Sequence, residues 1–470
     1  MSETKDTSAA SPWSAASASP EAQADAEAHR PIGVGATYAT ASQVATAIAG
    51  GAMGIVVARL LEPEGTGAFG VVQSSLLLLG AVSMLGIGVG SAYRISTRSW
   101  KPQDALPQLQ VAALVLGAVG AALGLGIAAI THDSAFKHIP LGTVALGLAS
   151  LPFALSWLYS SYLALALDRY ETYALAPATQ AVCALVLVVA LTPPFGLTGA
   201  VAGLAAANLL TALGISGWTA RALGRAREKW FSRSSSELRD AAKFGFRADL
   251  TNTLQLLNER ADLFIVNAFA ARATVGHYAV ALSVTSLGTL LPRALAGVVF
   301  PRVARLDASA AAERQQFVIL KSVRHTILIV GLTSLVLLVG LLLIPLVYGS
   351  RFHPAIGLGL ILLPGVAALG LGQVLAATVV GKGYPQYSLY TALIVTPPTL
   401  GLYLLFAPTL GAPGVALASS LSYAGTSILA SFFFRRVTEL RIRSLLPGRD
   451  EISDYRELLE PMVKRMRGRR

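Results

Sequence analysis

Charge is scarce in this chain. Only 13% of its 470 residues are Asp, Glu, Lys or Arg, about half of the roughly 25% usual in soluble domains. A water-facing globular surface is hard to build from so few. Cysteine is nearly missing too: Cys183 is the single thiol, which excludes an intrachain disulfide framework or a thiolate metal site. It reads as a small packing residue. The six histidines are scattered, so no metal and no cofactor is expected. No Gly-rich Walker loop is present, so the chain is not expected to hydrolyse ATP. Residues 1–33 are rich in Ala, Ser and acidic residues without an apolar run, which argues against a signal peptide and for a disordered cytoplasmic tail.

What fills the chain is apolar. It is 54% hydrophobic with a mean hydropathy of +0.60, and a stretch of about 20 such residues crosses ~30 Å of hydrocarbon as a helix. Twelve spans are predicted, at 34–60, 68–93, 107–131, 141–167, 172–192, 197–220, 244–270, 276–300, 325–349, 355–380, 385–408 and 412–434. Of the 37 Lys and Arg residues, 31 fall at the tails, gaps and helix ends of one side. The positive-inside rule then puts both termini of this multi-pass membrane protein in the cytoplasm. The net charge of +12 alone would suit nucleic acid, but it follows from this topology, and the distribution of the basic residues argues against that role.

The longest polar gap, Arg221 to Lys243, divides the spans into two sets of six, and the sets resemble each other. Gly67–Val72 matches Gly276–Ala281, Arg169–Tyr173 matches Gly383–Tyr387, and Gly196–Val201 matches Gly411–Ala416. The separations of 209, 214 and 215 residues are nearly constant, as an internal repeat requires. Each set has an even number of spans, so the repeats are parallel about an axis along the membrane normal. The expected fold is all-α, with twelve transmembrane helices in two six-helix lobes of pseudo-two-fold symmetry around a central cavity. The divisions are 1–33 as tail, 34–221 as first lobe, 222–243 as basic linker, 244–436 as second lobe and 437–470 as basic cytoplasmic tail.

Span 7 is the least lipid-like. Asn252, Gln255, Glu259 and Asp262 are spaced 3, 4 and 3 apart, one face of a helix, with Thr251 and Asn258 beside them. A carboxylate in mid-helix costs ~2.5–3.5 kcal/mol on insertion scales, so the stripe is expected to face a wet cavity between the lobes. The 209-residue separation maps Asn252 and Gln255 onto Gln43 and Thr46, but Glu259 and Asp262 onto Gly50 and Met53. The acid pair belongs to the second lobe alone. Two carboxylates a turn apart suit ion or proton coupling; the structural alternative is a packing ion pair with Arg260. Arg293 either snorkels to the interface or offers a planar fork to phosphate. Arg94, Lys243 and Arg247 form a basic vestibule or serve as ordinary topological anchors. Trp157, Tyr159, Tyr162, Tyr170 and Tyr173 stack on sugar rings or, as the favoured reading, pack and anchor. Pro177, Pro345, Pro364, Pro397 and Pro398 are expected to kink or break their spans. Residues 454–470 read as a basic amphipathic segment on the inner leaflet or as a solvated tail.

The turn at 59–70 (Arg-Leu-Leu-Glu-Pro-Glu-Gly-Thr-Gly-Ala-Phe-Gly), the Gly-x-x-Gly-Ala entry to span 6, and Asn258-x-x-x-Asp262-Leu-Phe-Ile-Val followed by Val275–Ala281 resemble a known family. They look like the polysaccharide-biosynthesis, O-antigen-type flippases of the multidrug/oligosaccharidyl-lipid/polysaccharide (MOP) exporter superfamily, over residues 34–436. The resemblance implies a V-shaped transporter, not an enzyme. It would move undecaprenyl-pyrophosphate-linked oligosaccharide to the outer leaflet, driven by protons or sodium ions. Membrane lipids and the polysaccharide polymerase and export machinery are the implied partners. The runner-up is a multidrug and toxin exporter of the same superfamily, disfavoured by the cationic vestibule. A membrane glycosyltransferase or polymerase would need a sizeable outer loop, and the outer gaps are short. A scaffold without transport would not need the buried charges.

Overall fold

Apolar runs in lipid fold as helices because each backbone N–H and C=O must find its partner within the segment. The computed structural model describes residues 32–137, 139–223, 235–308, 312–440 and 445–448, and among them it contains helices and turns but no strand. The expected N-terminal tail lies almost wholly outside the described residues. So do residues 224–234 of the linker and the 454–470 segment.

The first half comprises α1 (Ile32–Met84), α2 (Ile87–Ser96), α3 (Pro102–Ile130), α4 (Leu141–Leu148), α5 (Leu151–Ala166) and α6 (Tyr170–Ala222). The second comprises α7 (Ser235–Phe269), α8 (Arg272–Ser286), α9 (Leu290–Ala308), α10 (Ala312–Leu342), the single turn α11 (Ile344–Val347), α12 (Ala355–Gly381) and α13 (Gln386–Thr438). Eight helical stretches among the described residues are long and apolar enough to cross a membrane. This is a multi-pass membrane protein. Helix α7 is not one of the eight, since it carries Arg247, Asp249, Glu259, Arg260 and Asp262. Large apolar side chains such as Ile130, Leu332 and Ile428 point outward, as lipid contact favours.

Helices α1, α6 and α13 each run 53 residues, about 80 Å at 1.5 Å per residue, more than twice the hydrocarbon thickness. Each contains one non-helical residue: Glu62 (φ 56°), Gly196 (φ 57°) and Gly411 (φ 61°). In α6 and α13 the arms on either side lie against each other. Gln180 Nε2 donates to Asn208 Oδ1 at 3.3 Å, Thr399 Oγ1 to Ser422 Oγ at 2.6 Å, and Tyr403 and Ser419 hydroxyls meet at 3.0 Å. Each pair brackets its turn, so α6 and α13 are helical hairpins. Glycine serves at both turns because a Cβ disfavours that backbone region. The reversals therefore fall at these residues and not at the prolines, since helical backbone continues through Pro177, Pro364, Pro397 and Pro398. Of the five prolines expected to kink or break their spans, only Pro345 stands at the start of a new helix after a break.

The repeat is visible in these elements. Hairpins α6 and α13 have equal length and start 216 residues apart, and their turns at Gly196 and Gly411 are 215 apart. The halves meet where side chains are smallest, as helices in lipid pack best when backbones approach closely. Helix α2 runs antiparallel to α7: a Cβ on Gly90 would lie 1.9 Å from the Ala241 carbonyl oxygen, and one on Gly245 would lie 2.0 Å from that of Gly86. At the far end, a Cβ on Gly276 of α8 would lie 1.8 Å from the Pro63 oxygen of α1.

Polar contacts flank both ends of this seam. Arg94 pairs with Glu237 and reaches Asp240 at 3.6 Å, while Tyr93 stacks on Phe244. At the other end Arg59 donates to the Val347 and Leu346 carbonyls at 2.8 and 3.0 Å, and Arg351 pairs with Glu62.

Candidate functional site

Helix α7 supplies the site because its polar residues recur on one face. Asn252, Gln255, Asn258 and Glu259 line a cavity of about 470 Å³ inside the second half. Arg293 of α9, Gln373 of α12, and Thr391, Tyr423 and Phe433 of α13 complete much of its wall. Glu259 and Arg293 face each other at 3.8 Å. The basic partner of Glu259 is thus Arg293 rather than its sequence neighbour Arg260, about 100° away around the helix. Arg260 is half-buried, with its Nε partnerless.

Asp262 is completely buried and does not line the cavity. Its Oδ2 accepts the Tyr278 hydroxyl at 2.7 Å and the Ser419 hydroxyl at 3.3 Å, and its Oδ1 accepts the Leu263 N–H at 2.7 Å. Tyr403 joins through Ser419. Three donors on one carboxylate are what a charge in a dry interior needs to remain there. Asn258, on the cavity wall, touches this cluster through its backbone carbonyl, which accepts the Tyr403 hydroxyl at 3.5 Å; its Nδ2 donates to Thr396 at 3.0 Å, while its Oδ1 is buried with no partner.

The remaining expected residues are placed elsewhere. Gln43 and Thr46 are not among those lining the cavity; Gln43 is exposed, and Thr46 Oγ1 is buried without a partner. The cavity thus lies within the second half and not between the halves as expected. Arg94 is engaged with Glu237 and Asp240, while Lys243 and Arg247 are exposed. Tyr159 is a core residue, buried and donating to the Met84 carbonyl at 3.0 Å. Cys183 packs against the core.

Sequence reasoning missed Asp249. It is buried where the halves meet, and its Oδ2 accepts the Gly86 N–H at 2.9 Å. Gly86 precedes α2 in the left-handed region, with φ 72°. In sequence Asp249 falls near one end of the expected span 244–270, where a single acid reads as a solvated one, whereas helix α7 begins well before it at Ser235. Gln373, Tyr278, Tyr403 and Ser419 were missed because single polar residues in apolar runs carry no periodic signal.

In sequence, the polysaccharide biosynthesis protein family matches residues 56–357. The chain belongs to that family. No curated protein matches it significantly. Among solved structures, this family member is similar to a multidrug resistance MATE family transporter of the MOP superfamily in an inward-facing conformation. The TM-score is 0.65 at 19% identity, covering 86% of this chain and 98% of the other. It is also similar to the lipid II flippase MurJ in an inward closed conformation, at TM-score 0.66 and 13% identity, covering 88% and 89%. A third is a MOP superfamily transporter from Pyrococcus furiosus, at 0.59 and 19%, covering 86% and 94%. The polysaccharide biosynthesis chain thus has the fold of MOP superfamily transporters.

Proposed function

We propose that the protein is a flippase that carries undecaprenyl-pyrophosphate-linked oligosaccharide across the plasma membrane for surface polysaccharide synthesis. It acts as a carrier and not as an enzyme. In this reading twelve crossings form two six-helix lobes, 34–221 and 244–436, with both termini cytoplasmic. The lobes rock about their glycine-lined seam, which opens at one end and then the other. The observation that carries the reading is the amide and carboxylate face of α7, which lines a cavity within a helix bundle of membrane-spanning length. Intramembrane ionisable residues face cavities or partners where substrates and ions pass. Family membership supports polysaccharide synthesis as the setting.

A proton or sodium gradient drives the cycle in this reading. Glu259 meets the ion at the cavity wall, and Asp262 holds the buried end of the path through Asn258. Deleting the gene should abolish surface glycan and trap lipid-linked repeat units in the inner leaflet. Normal glycan with raised dye sensitivity would overturn the reading in favour of a drug exporter. For the carboxylates, Glu259→Gln and Asp262→Asn should impair transport at unchanged membrane abundance, and full activity of both would remove the coupling role.

A further inference from the structure

The cavity of the second half is balanced in charge, and this restricts what it can hold. Among the residues lining it, Glu259 and Arg293 are the charged ones, and they face each other. While this pair is closed, a bulky organic cation would meet a carboxylate already compensated, and a pyrophosphate a guanidinium already compensated; the coupling ion reaches Glu259 only when Arg293 leaves it. What the lining leaves unmet is hydrogen bonding. Asn258 Oδ1 and Gln373 Oε1 are buried acceptors without partners. Asn258 is 8% exposed, with its amide nitrogen committed to Thr396. Buried acceptors of this kind are rare unless something supplies donors.

The rest of the wall suits the same ligand. Tyr387 lies between Phe433 and Tyr384, with ring centroids 4.4 and 5.8 Å away, and Tyr423 lines the wall ten residues before Phe433 on the same helix. The edges and outer faces of this stack offer an apolar surface to the C–H face of a sugar, while its hydroxyls donate to amide oxygens and to Thr391 Oγ1, whose own proton goes to the Tyr387 carbonyl, and accept from Asn252 and Gln255. A volume of about 470 Å³ falls in the range of small-ligand pockets, enough for a few sugar rings but not for a polymer.

We infer that this cavity is a subsite for neutral sugar residues, held by the amides of Asn258 and Gln373 and the aromatic wall, and separate from the groups that hold the lipid-linked phosphates. The inference rests on the flippase reading and specifies which part of the substrate this site takes. The test uses the full chain in lipid nanodiscs with Cys183→Ser and either Ser388→Cys or Thr426→Cys, both positions on the wall. Maleimide labelling is timed with three probes: the neutral oligosaccharide released by mild acid from the host's lipid-linked pool, undecaprenyl pyrophosphate, and tetraphenylphosphonium.

The oligosaccharide should slow labelling at least fivefold and the other two should not. Gln373→Leu should raise the half-protecting concentration about tenfold, the worth of one good hydrogen bond. Native mass spectrometry of the unsubstituted chain should show the oligosaccharide adduct, whether or not the cysteine variants fold. Protection by tetraphenylphosphonium or undecaprenyl pyrophosphate without the oligosaccharide would overturn the assignment, as would no protection and no adduct from any probe. Loss of surface glycan on gene deletion alongside a negative result here would overturn the sugar subsite alone; normal glycan would overturn the flippase reading itself.

Discussion

The contact between α2 and α7 leaves no room for a methyl group, and Gly90→Ala measures what that closeness does. A Cβ at Gly90 would lie 1.9 Å from the Ala241 oxygen, 2.5 Å from its carbonyl carbon and 2.8 Å from its Cα. All three are backbone atoms, so no side chain can swing aside. Reaching an ordinary contact of 3.4 Å moves the helices apart by about 1.5 Å. One turn away, the Gly86 N–H bond to Asp249, now 2.9 Å, would stretch beyond hydrogen-bonding range. Overpacking costs about 1–3 kcal/mol, and losing a hydrogen bond to a charged group costs about 1.5–3 kcal/mol. The closed end should therefore lose at least tenfold in population. The assay is crosslinking of Tyr93→Cys to Phe244→Cys, whose native rings stack with centroids 4.1 Å apart, by a short bismaleimide in a Cys183→Ser background. Gly90→Ala should slow the crosslink about tenfold and reduce surface glycan. Gly214→Ala, where nothing lies within 4 Å of the added Cβ, should do neither. An unchanged crosslinking rate in Gly90→Ala would refute the claim that backbone contact holds this end shut.

Asp249→Ala leaves the Gly86 N–H without its acceptor and should lower thermal stability in detergent by about 1–3 kcal/mol, whereas Asp249→Asn, which keeps an oxygen there, should recover most of it; equal losses would mean the hydrogen bond matters little. The Glu259 and Arg293 side chains are 30% and 53% exposed, so separating them should change stability by no more than about 1 kcal/mol. Arg293→Ala should nevertheless impair transport by leaving Glu259 uncompensated in the cavity, and Arg293→Lys, which keeps the charge, should retain part of it. A Lys variant no better than Arg293→Ala would show that the charge facing Glu259 is not what transport needs.

The architecture was legible because it is written in long-range order. Apolar length specifies membrane-spanning helices whatever the detail of packing, and the Gly196 and Gly411 motifs recur because both hairpins need the same backbone turn. The face of α7 was legible in part: Asn252, Gln255 and Glu259 at helical spacing line the cavity, whereas Asp262 of the same pattern is buried away from it. The location of its cavity was not. Periodicity says which residues share a face, but not whether that face meets the other half or helices of its own half. Helices α9, α12 and α13 settle that, through single residues such as Arg293 and Gln373. Asp249 escaped for the same reason, since its partner is a backbone N–H 163 positions away.

The repeat supplies a control for the polar cluster around Asp262. Under the 209-residue separation Asn258, Asp262 and Tyr278 correspond to Ala49, Met53 and Phe69; under the 215-residue separation Tyr403 and Ser419 correspond to Val188 and Leu204. All five first-half residues are buried in the apolar core. The same hairpin geometry is therefore packed with hydrocarbon in one half and with a carboxylate and hydroxyls in the other. The fold does not require the polar version, and local rules are broken chiefly where function demands it. Replacing a buried charged network by apolar residues of matched volume is often neutral or stabilising by about 1–4 kcal/mol. The combined change Asp262→Met, Tyr278→Phe, Tyr403→Val and Ser419→Leu should thus leave membrane abundance and melting temperature at or above those of the parent while transport is lost. Asp262→Met alone, which strands the hydroxyls of Tyr278 and Ser419, should be less stable than the quadruple variant. If the quadruple variant transported normally, the cluster would be an alternative packing solution and Asp262 would have no part in coupling. If it failed to accumulate where the parent does, the cluster would be structural, and the correspondence between the halves would not extend to their cores.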